Sequence, residues 1–76
     1  MSAHAGHEGD RIAGELTLSD AIERLPASLR QVFVLFDVEG FSHAEVADLL
    51  GISPVASRKR RSRAVSILQS ILRSSR

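Results

Sequence analysis

The sequence predicts an all-α fold of four helices, and three observations support that prediction. Apolar residues recur at helical spacing over 18–72. Serine, threonine, glycine and proline stand where helices begin and end. No run alternates as a strand does, and no hairpin signal occurs. With 76 residues and no cysteine, the chain is expected to form one small domain without disulfides or thiolate metal ligands.

The first two helices are separated by a proline. The first is predicted to begin at Thr17 or Ser19 and to end before Pro26, because proline forces the preceding residue out of helical geometry. The second is predicted over 27–38 and is apolar on nearly all sides. Such a helix is either buried centrally or presents one face to a partner protein. The predicted protein-partner surface consists of Leu29, Val32, Phe33 and Phe36.

Two further helices are predicted on either side of a tight turn. Ser42 and Glu45 have the spacing of a capping box at the start of the third helix, and Gly51 suits a left-handed exit from it. Ser53 then caps the fourth helix, whose first position is Pro54. This spacing is typical of a helix-turn-helix, whose second helix lies in the DNA major groove. The predicted class is therefore a helix-turn-helix domain, winged-helix-like but without a wing.

The fourth helix is predicted to continue to about Arg73, and its two halves differ. Its second half keeps an apolar stripe that would anchor it, whereas residues 57–63 are almost wholly polar. All nine acidic residues lie at or before Asp48, so residues 1–53, with three arginines, carry −6, and residues 54–76 carry +7. This polarity is typical of a protein that meets a polyanion with one end, although a solvated basic helix has the same composition.

A set of short runs points to one family. These runs are the Leu-Pro pair at 25–26, VFVL at 32–35, DVEGFS at 37–42, AEVADLLGIS at 44–53 and SRA at 62–64. In this combination, residues 18–73 resemble region 4 of bacterial sigma factors of the extracytoplasmic-function group. The resemblance implies a cytoplasmic domain that reads the minus-35 promoter element, docks on the flap of the RNA polymerase β subunit and is bound by an anti-sigma factor. It implies no catalysis, cofactor, metal, membrane or small-molecule substrate.

The resemblance also assigns residues to DNA. It places the DNA-reading helix at 54–64 and makes the preceding helix, which opens at His43, cross the DNA backbone. Arginine can contact guanine edges in pairs of hydrogen bonds, whereas phosphate contacts carry no sequence information. We therefore expect Arg60 and Arg61 to grip phosphates and the others to read bases or flank them. The predicted DNA-binding residues are His43, Ser53, Arg58, Lys59, Arg60, Arg61, Ser62 and Arg63.

Three residues depart from the family pattern. Ser57 and Arg61 stand where many members carry an apolar residue facing the core. Either the DNA-reading helix is rotated or frayed at its start, or Arg61 directs its charge outward along an apolar stem. Phe36 stands where relatives are often polar or basic, which indicates an adhesive patch or core packing. The alternative function is a region-4-like module bound mainly by protein, and a third is the output domain of another regulator.

The remaining expectations concern the domain boundaries and chemistry. Residues 1–16 are predicted to be a flexible arm or linker remnant ahead of a domain at 17–76, and the family's region 2 is expected to be missing from this chain. His4 and His7 are expected to have no ligand role. An enzyme is not expected, because the sequence has no cysteine, tyrosine, carboxylate–histidine cluster or phosphate-binding glycine loop.

Overall fold

The computed structural model describes residues 16–74, and within them the chain forms four helices and no strand. The all-α prediction is confirmed. None of these helices combines the length and the apolar composition that crossing a membrane requires. The helices are α1, Leu18–Glu23; α2, Ala27–Phe33, which continues as a π-helical segment, Val34–Val38; α3, His43–Leu50; and α4, Pro54–Ser74.

Reciprocal capping boxes begin both α1 and α3. The Asp20 N–H donates to Thr17 Oγ1 over 3.1 Å, and the Thr17 N–H donates to Asp20 Oδ2 over 3.2 Å. In the same way, the Glu45 N–H donates to Ser42 Oγ over 3.1 Å and the Ser42 N–H donates to Glu45 Oε1 over 2.9 Å. Each cap stabilises its helix by about 1 kcal/mol. Thr17, rather than Ser19, is therefore the residue that begins α1.

The turn between α3 and α4 has the predicted geometry. Gly51 has φ 70° and ψ 35°, a left-handed conformation that costs residues with a Cβ about 1–2 kcal/mol. The next amide, Ile52 N–H, donates back to the Ala47 carbonyl over 3.0 Å, which closes the end of α3. The Ala56 N–H donates to Ser53 Oγ over 3.0 Å, so Ser53 caps α4. The two helices are thus joined as in a helix-turn-helix.

The second helix changes its winding before it ends. The Glu39 N–H donates to the Val34 carbonyl, five residues back, over 2.8 Å, and Gly40 with φ 87° then ends the segment. A π-helical turn holds more residues than an α-helical one, so it shifts the following side chains around the helix axis. The predicted helix over 27–38 is present, but its last turn is wound differently from the α-helix that the sequence indicated.

One core joins α1, α2 and the second half of α4. Partly buried side chains at its edge include Leu16, which lies at the end of the predicted arm, while residues 1–15 of that arm, with His4 and His7, lie outside the described residues. The anchoring half of α4 thus packs where the sequence predicted. The buried members of this core are Ala21, Leu25, Leu29, Phe33, Ala64 and Leu68.

The predicted protein-partner surface was wrong for three of its four residues. Leu29, Val32 and Phe33 are only 7%, 0% and 8% exposed. Their i, i+3, i+4 spacing places them on one side of α2, and that side packs inward instead of meeting a partner. Phe36 is half-buried, because the π-helical segment places it beside α3.

Candidate nucleic-acid interface

The buried side of α4 determines which of its residues face outward. Ser57, Ala64 and Leu68 are buried and fall on one line of the helix, at i, i+7 and i+11. At about 100° per residue, Arg61 is near that line as well. Lys59, Ser62 and Ser66 point to the opposite side and are exposed. The first half of α4 therefore has a fixed inner line and a solvent-facing side.

Four of the predicted base-reading residues share that outer side. Arg58, Lys59, Ser62 and Arg63 are all exposed, while Arg60 is half-buried at the flank of the helix. The structure thus groups them on one surface, which we call the basic face and define as Arg58, Lys59, Arg60, Ser62 and Arg63. Its width is that of a single helix, which the DNA major groove admits.

The charge of the basic face is available to a ligand. Among residues 16–74, the structure provides no carboxylate partner for Arg58, Lys59, Arg60 or Arg63. The first turn of α4 holds no acidic residue, so the positive end of the helix dipole adds to the same field. The arrangement can attract and hold phosphates, and its arginines can pair with guanine edges.

Ser53 and His43 lie near the start of the basic face but have partners within the protein. Ser53 is exposed, and its hydroxyl accepts the Ala56 amide while keeping its own proton to donate. The ring of half-buried His43 stacks on Phe36, with centroids 4.0 Å apart and an interplanar angle of 11°. His43 Nδ1 also lies 2.8 Å from Ser57 Oγ. Its imidazole thus contacts its own fold on both its face and one edge.

Ser57 is an ordered part of the interior. It is 0% exposed, its N–H donates to the Ser53 carbonyl over 2.9 Å, and its hydroxyl meets His43. A buried hydroxyl needs such a partner, because an unpaired polar group costs about 1–3 kcal/mol. The structure therefore shows α4 neither rotated nor frayed at this residue. A serine thus stands on the inner line of α4, and a histidine pairs with it.

Arg61 is held by a carboxylate from the π-helical segment. Arg61 Nε donates to Asp37 Oδ1 over 3.0 Å, and Nη2 donates to Asp37 Oδ2 over 2.8 Å. The guanidinium carbon lies 5.5 Å from the centre of the Phe36 ring, within cation–π range. The hydrogen bond to Asp37 raises the pKa of Arg61 above its ordinary value, more than burial lowers it. Arg61, predicted as a phosphate grip, thus already has an anionic partner.

These contacts form one cluster that connects three elements. We call it the polar clamp: Phe36 and Asp37 from the π-helical segment, His43 from α3, and Ser57 and Arg61 from α4. Sequence reasoning identified four of its members singly but missed Asp37, which lies 24 residues before Arg61. The sequence did contain a signal for this pairing. An acidic residue, Asp37, begins the run DVEGFS, and Arg61 stands near the line of α4 that was expected to face the core.

An apolar groove lies on the other side of α2. It has a volume of about 380 Å³ and is open to solvent. Arg30 at its edge is held in place, because its Nη1 donates to the Glu23 carbonyl over 3.0 Å and to the Leu25 carbonyl over 3.3 Å. None of the four residues predicted as the protein-partner surface lines this groove. The groove residues are Arg30, Gln31, Val34, Leu35 and Leu50.

Comparison with known proteins supports a single family. The family model described as Sigma-70, region 4 matches residues 15–68, which include every helix up to the second half of α4. Searches of curated proteins and of solved structures returned no significant match. Within residues 16–74, no group of three or more histidine, cysteine or acidic residues is placed to hold a metal ion.

Proposed function

The chain belongs to the Sigma-70, region 4 family, whose domains bind DNA and interact with RNA polymerase and are not enzymes, and on that premise we propose that it reads the minus-35 promoter element. The observation that carries this proposal is the basic face, which lies opposite the buried line of α4. Binding there would help to direct transcription initiation in the cytoplasm, without catalysis and without a cofactor.

Each part of the basic face has a proposed task. Lys59 and Ser62 at the centre of the outer side, with Arg58 and Arg63 on either side of them, would meet base edges, where each paired arginine contact contributes about 1–3 kcal/mol of discrimination. Arg60 at the flank would hold a phosphate and contribute affinity to every sequence alike. The capped amino end of α3, with His43, would approach the DNA backbone, and Ser53 would donate its free hydroxyl proton to a phosphate.

Titration with DNA tests this function. We expect the full chain to enrich a preferred sequence from a pool of random duplexes. Its affinity for that duplex should fall as salt rises, with a log–log slope of about −0.9 for each phosphate contact. Fluorescence anisotropy at several salt concentrations measures the slope, and resonances of 54–64 should shift on binding. A chain that selects no sequence and shows no shift at low salt would refute the proposal.

The apolar groove favours a second interaction. We propose that RNA polymerase, through the flap of its β subunit, occupies the groove formed by α2, the π-helical segment and Leu50. The groove lies on the side of α2 away from the α1–α4 core, so a protein bound there leaves the basic face open. An anti-sigma factor that bound the same groove would compete with polymerase. If DNA binding is weak, this protein contact is the main function.

A charged residue placed in the groove should weaken that contact selectively. Leu35→Glu is expected to weaken binding of the isolated polymerase β flap at least tenfold, because it buries a carboxylate against apolar atoms. The matched control is Leu18→Glu, since Leu18 is 53% exposed on α1 and does not line the groove. A pull-down followed by titration measures both. Equal losses in the two variants, or no loss in either, would contradict the assignment. Val32→Glu is unsuitable, because Val32 is fully buried.

A further inference from the structure

The polar clamp has a feature that the DNA-reading role alone does not explain. The first half of α4 carries five basic residues, yet one of them, Arg61, is paired with a carboxylate while the other four have no such partner within residues 16–74. The pair is bidentate, which is the strongest arrangement that arginine and carboxylate adopt. A domain that only needed affinity for a polyanion would not neutralise one of its own cations.

The paired guanidinium is still within reach of the DNA side. The Arg61 side chain is 39% exposed and that of Asp37 is 23% exposed, so the pair lies at the surface. Arg58, three residues earlier, is its neighbour on the helix surface and belongs to the basic face. The long arginine stem lets the charge swing outward once its partner is gone. Asp37 therefore determines whether Arg61 faces the protein or a phosphate.

An extra phosphate contact does not improve selectivity. It adds the same affinity to every sequence, and a genome presents a very large excess of competing sites. Withholding one cation lowers non-specific and specific binding alike, so the ratio of the two depends on how well the base-reading side chains are aimed. In the same cluster, the second partner of Arg61, the Phe36 ring, also stacks on His43, and His43 meets Ser57. The clamp therefore also fixes the rotation of α4, on which the aim of the base-reading side chains depends.

From these contacts we propose that Asp37 is a positioning residue that sets the specificity of DNA binding by holding Arg61 away from phosphates and so fixing the rotation of α4. This inference rests on the proposed DNA-binding function. It assigns a role to a residue outside the helix-turn-helix, in the π-helical segment of the preceding helix. Asp37 itself does not contact DNA in this scheme.

The test is the salt dependence of binding by Asp37→Ala. On a random-sequence duplex, its slope should become more negative by about 0.9, one phosphate contact. The ratio of its affinities at 50 and 200 mM salt should then exceed that of the wild type by about 3.5-fold. On the preferred duplex the affinity should gain less or fall, because losing the pair also frees the rotation of α4 that aims the base-reading side chains, so the ratio of specific to non-specific binding decreases.

Two controls separate this mechanism from simple loss of negative charge. Glu39→Ala removes an exposed carboxylate two residues away, and it should leave the salt slope nearly unchanged. The double variant Asp37→Ala/Arg61→Met has no cation to release and should return to the wild-type slope. Thermal melts should show all three variants folded. A merely structural role for Asp37 would weaken binding to both duplexes and would not steepen the slope.

The possible outcomes separate failure of the inference about Asp37 from failure of the proposed DNA-binding function. If the wild-type chain binds DNA with a salt-dependent preference but Asp37→Ala has the slope of Glu39→Ala, the role of Asp37 is wrong and the function stands. If Asp37→Ala steepens the slope and the double variant keeps it steep, the released cation is not Arg61 and the inference is overturned. If the wild-type chain binds neither duplex, the proposed function itself has failed.

Discussion

Leu68→Ala is expected to destabilise the domain by about 2–4 kcal/mol, the usual cost of truncating a buried leucine. Leu68 is 4% exposed and packs in the core shared by α1, α2 and the second half of α4. A folded unit of this size has a free energy of unfolding of roughly 3–9 kcal/mol, so this loss removes much of its stability. Thermal unfolding followed by circular dichroism should show Tm lowered by at least about 8 °C, at about 4–8 °C per kcal/mol.

The same truncation at an exposed leucine serves as the control. Leu49 is 59% exposed on α3, so Leu49→Ala should change stability by no more than about 0.5 kcal/mol. Urea denaturation of both variants gives the free energies directly, provided that their m-values agree. Equal effects of Leu49→Ala and Leu68→Ala would mean that the second half of α4 does not anchor the helix.

Arg58→Ala is expected to reduce affinity for the preferred duplex by about 5–150-fold, which corresponds to 1–3 kcal/mol for one paired arginine–guanine contact. Arg58 is exposed on the basic face and has no carboxylate partner within residues 16–74, so its loss leaves no unpaired group in the protein. Selection from a random pool should return a consensus that is relaxed at one position. The measurement is anisotropy on the preferred duplex and on single-base variants of it.

Two other arginines of α4 provide comparisons for the Arg58→Ala variant. Arg60→Ala should weaken all sequences alike and make the salt slope shallower by about 0.9, as for a phosphate contact. Arg73→Ala removes the same charge from the last turn of α4, far from the basic face, and should change affinity by less than about twofold. If Arg58→Ala behaves as Arg60→Ala does, Arg58 contacts a phosphate and base reading must be assigned elsewhere on the face.

Much of the fold was predictable because local chemistry dictates it. The capping residues Thr17, Ser42 and Ser53 and the left-handed Gly51 mark helix ends whatever the tertiary structure, and the structure has a boundary at each. The outer side of α4 was predictable too, since helical periodicity places Arg58, Lys59, Ser62 and Arg63 together. Their contacts with DNA stay predictions.

The inner contacts were less predictable because they depend on distant pairings. When a helix such as α2 is apolar on nearly all sides, its sequence does not show which side packs on the core. Leu29, Val32 and Phe33 were predicted to face a partner protein, but they are buried. Nor does a sequence pattern indicate that residue 37 will meet residue 61, since that pairing requires the π-helical segment and the start of α4 to pack side by side. The sequence showed that Ser57 and Arg61 lie on or near the inner line of α4, but it did not show which residues they would contact.

The π-helical segment makes chain length, as well as residue identity, a variable in evolution. A single inserted or deleted residue in Val34–Val38 would turn the side chains that follow by about one third of a revolution, while α2 before it stayed packed on its core. A different residue would then stand opposite Arg61. Insertions and deletions in this short segment are thus a route by which related domains can exchange the partner of their DNA-reading helix without altering that helix.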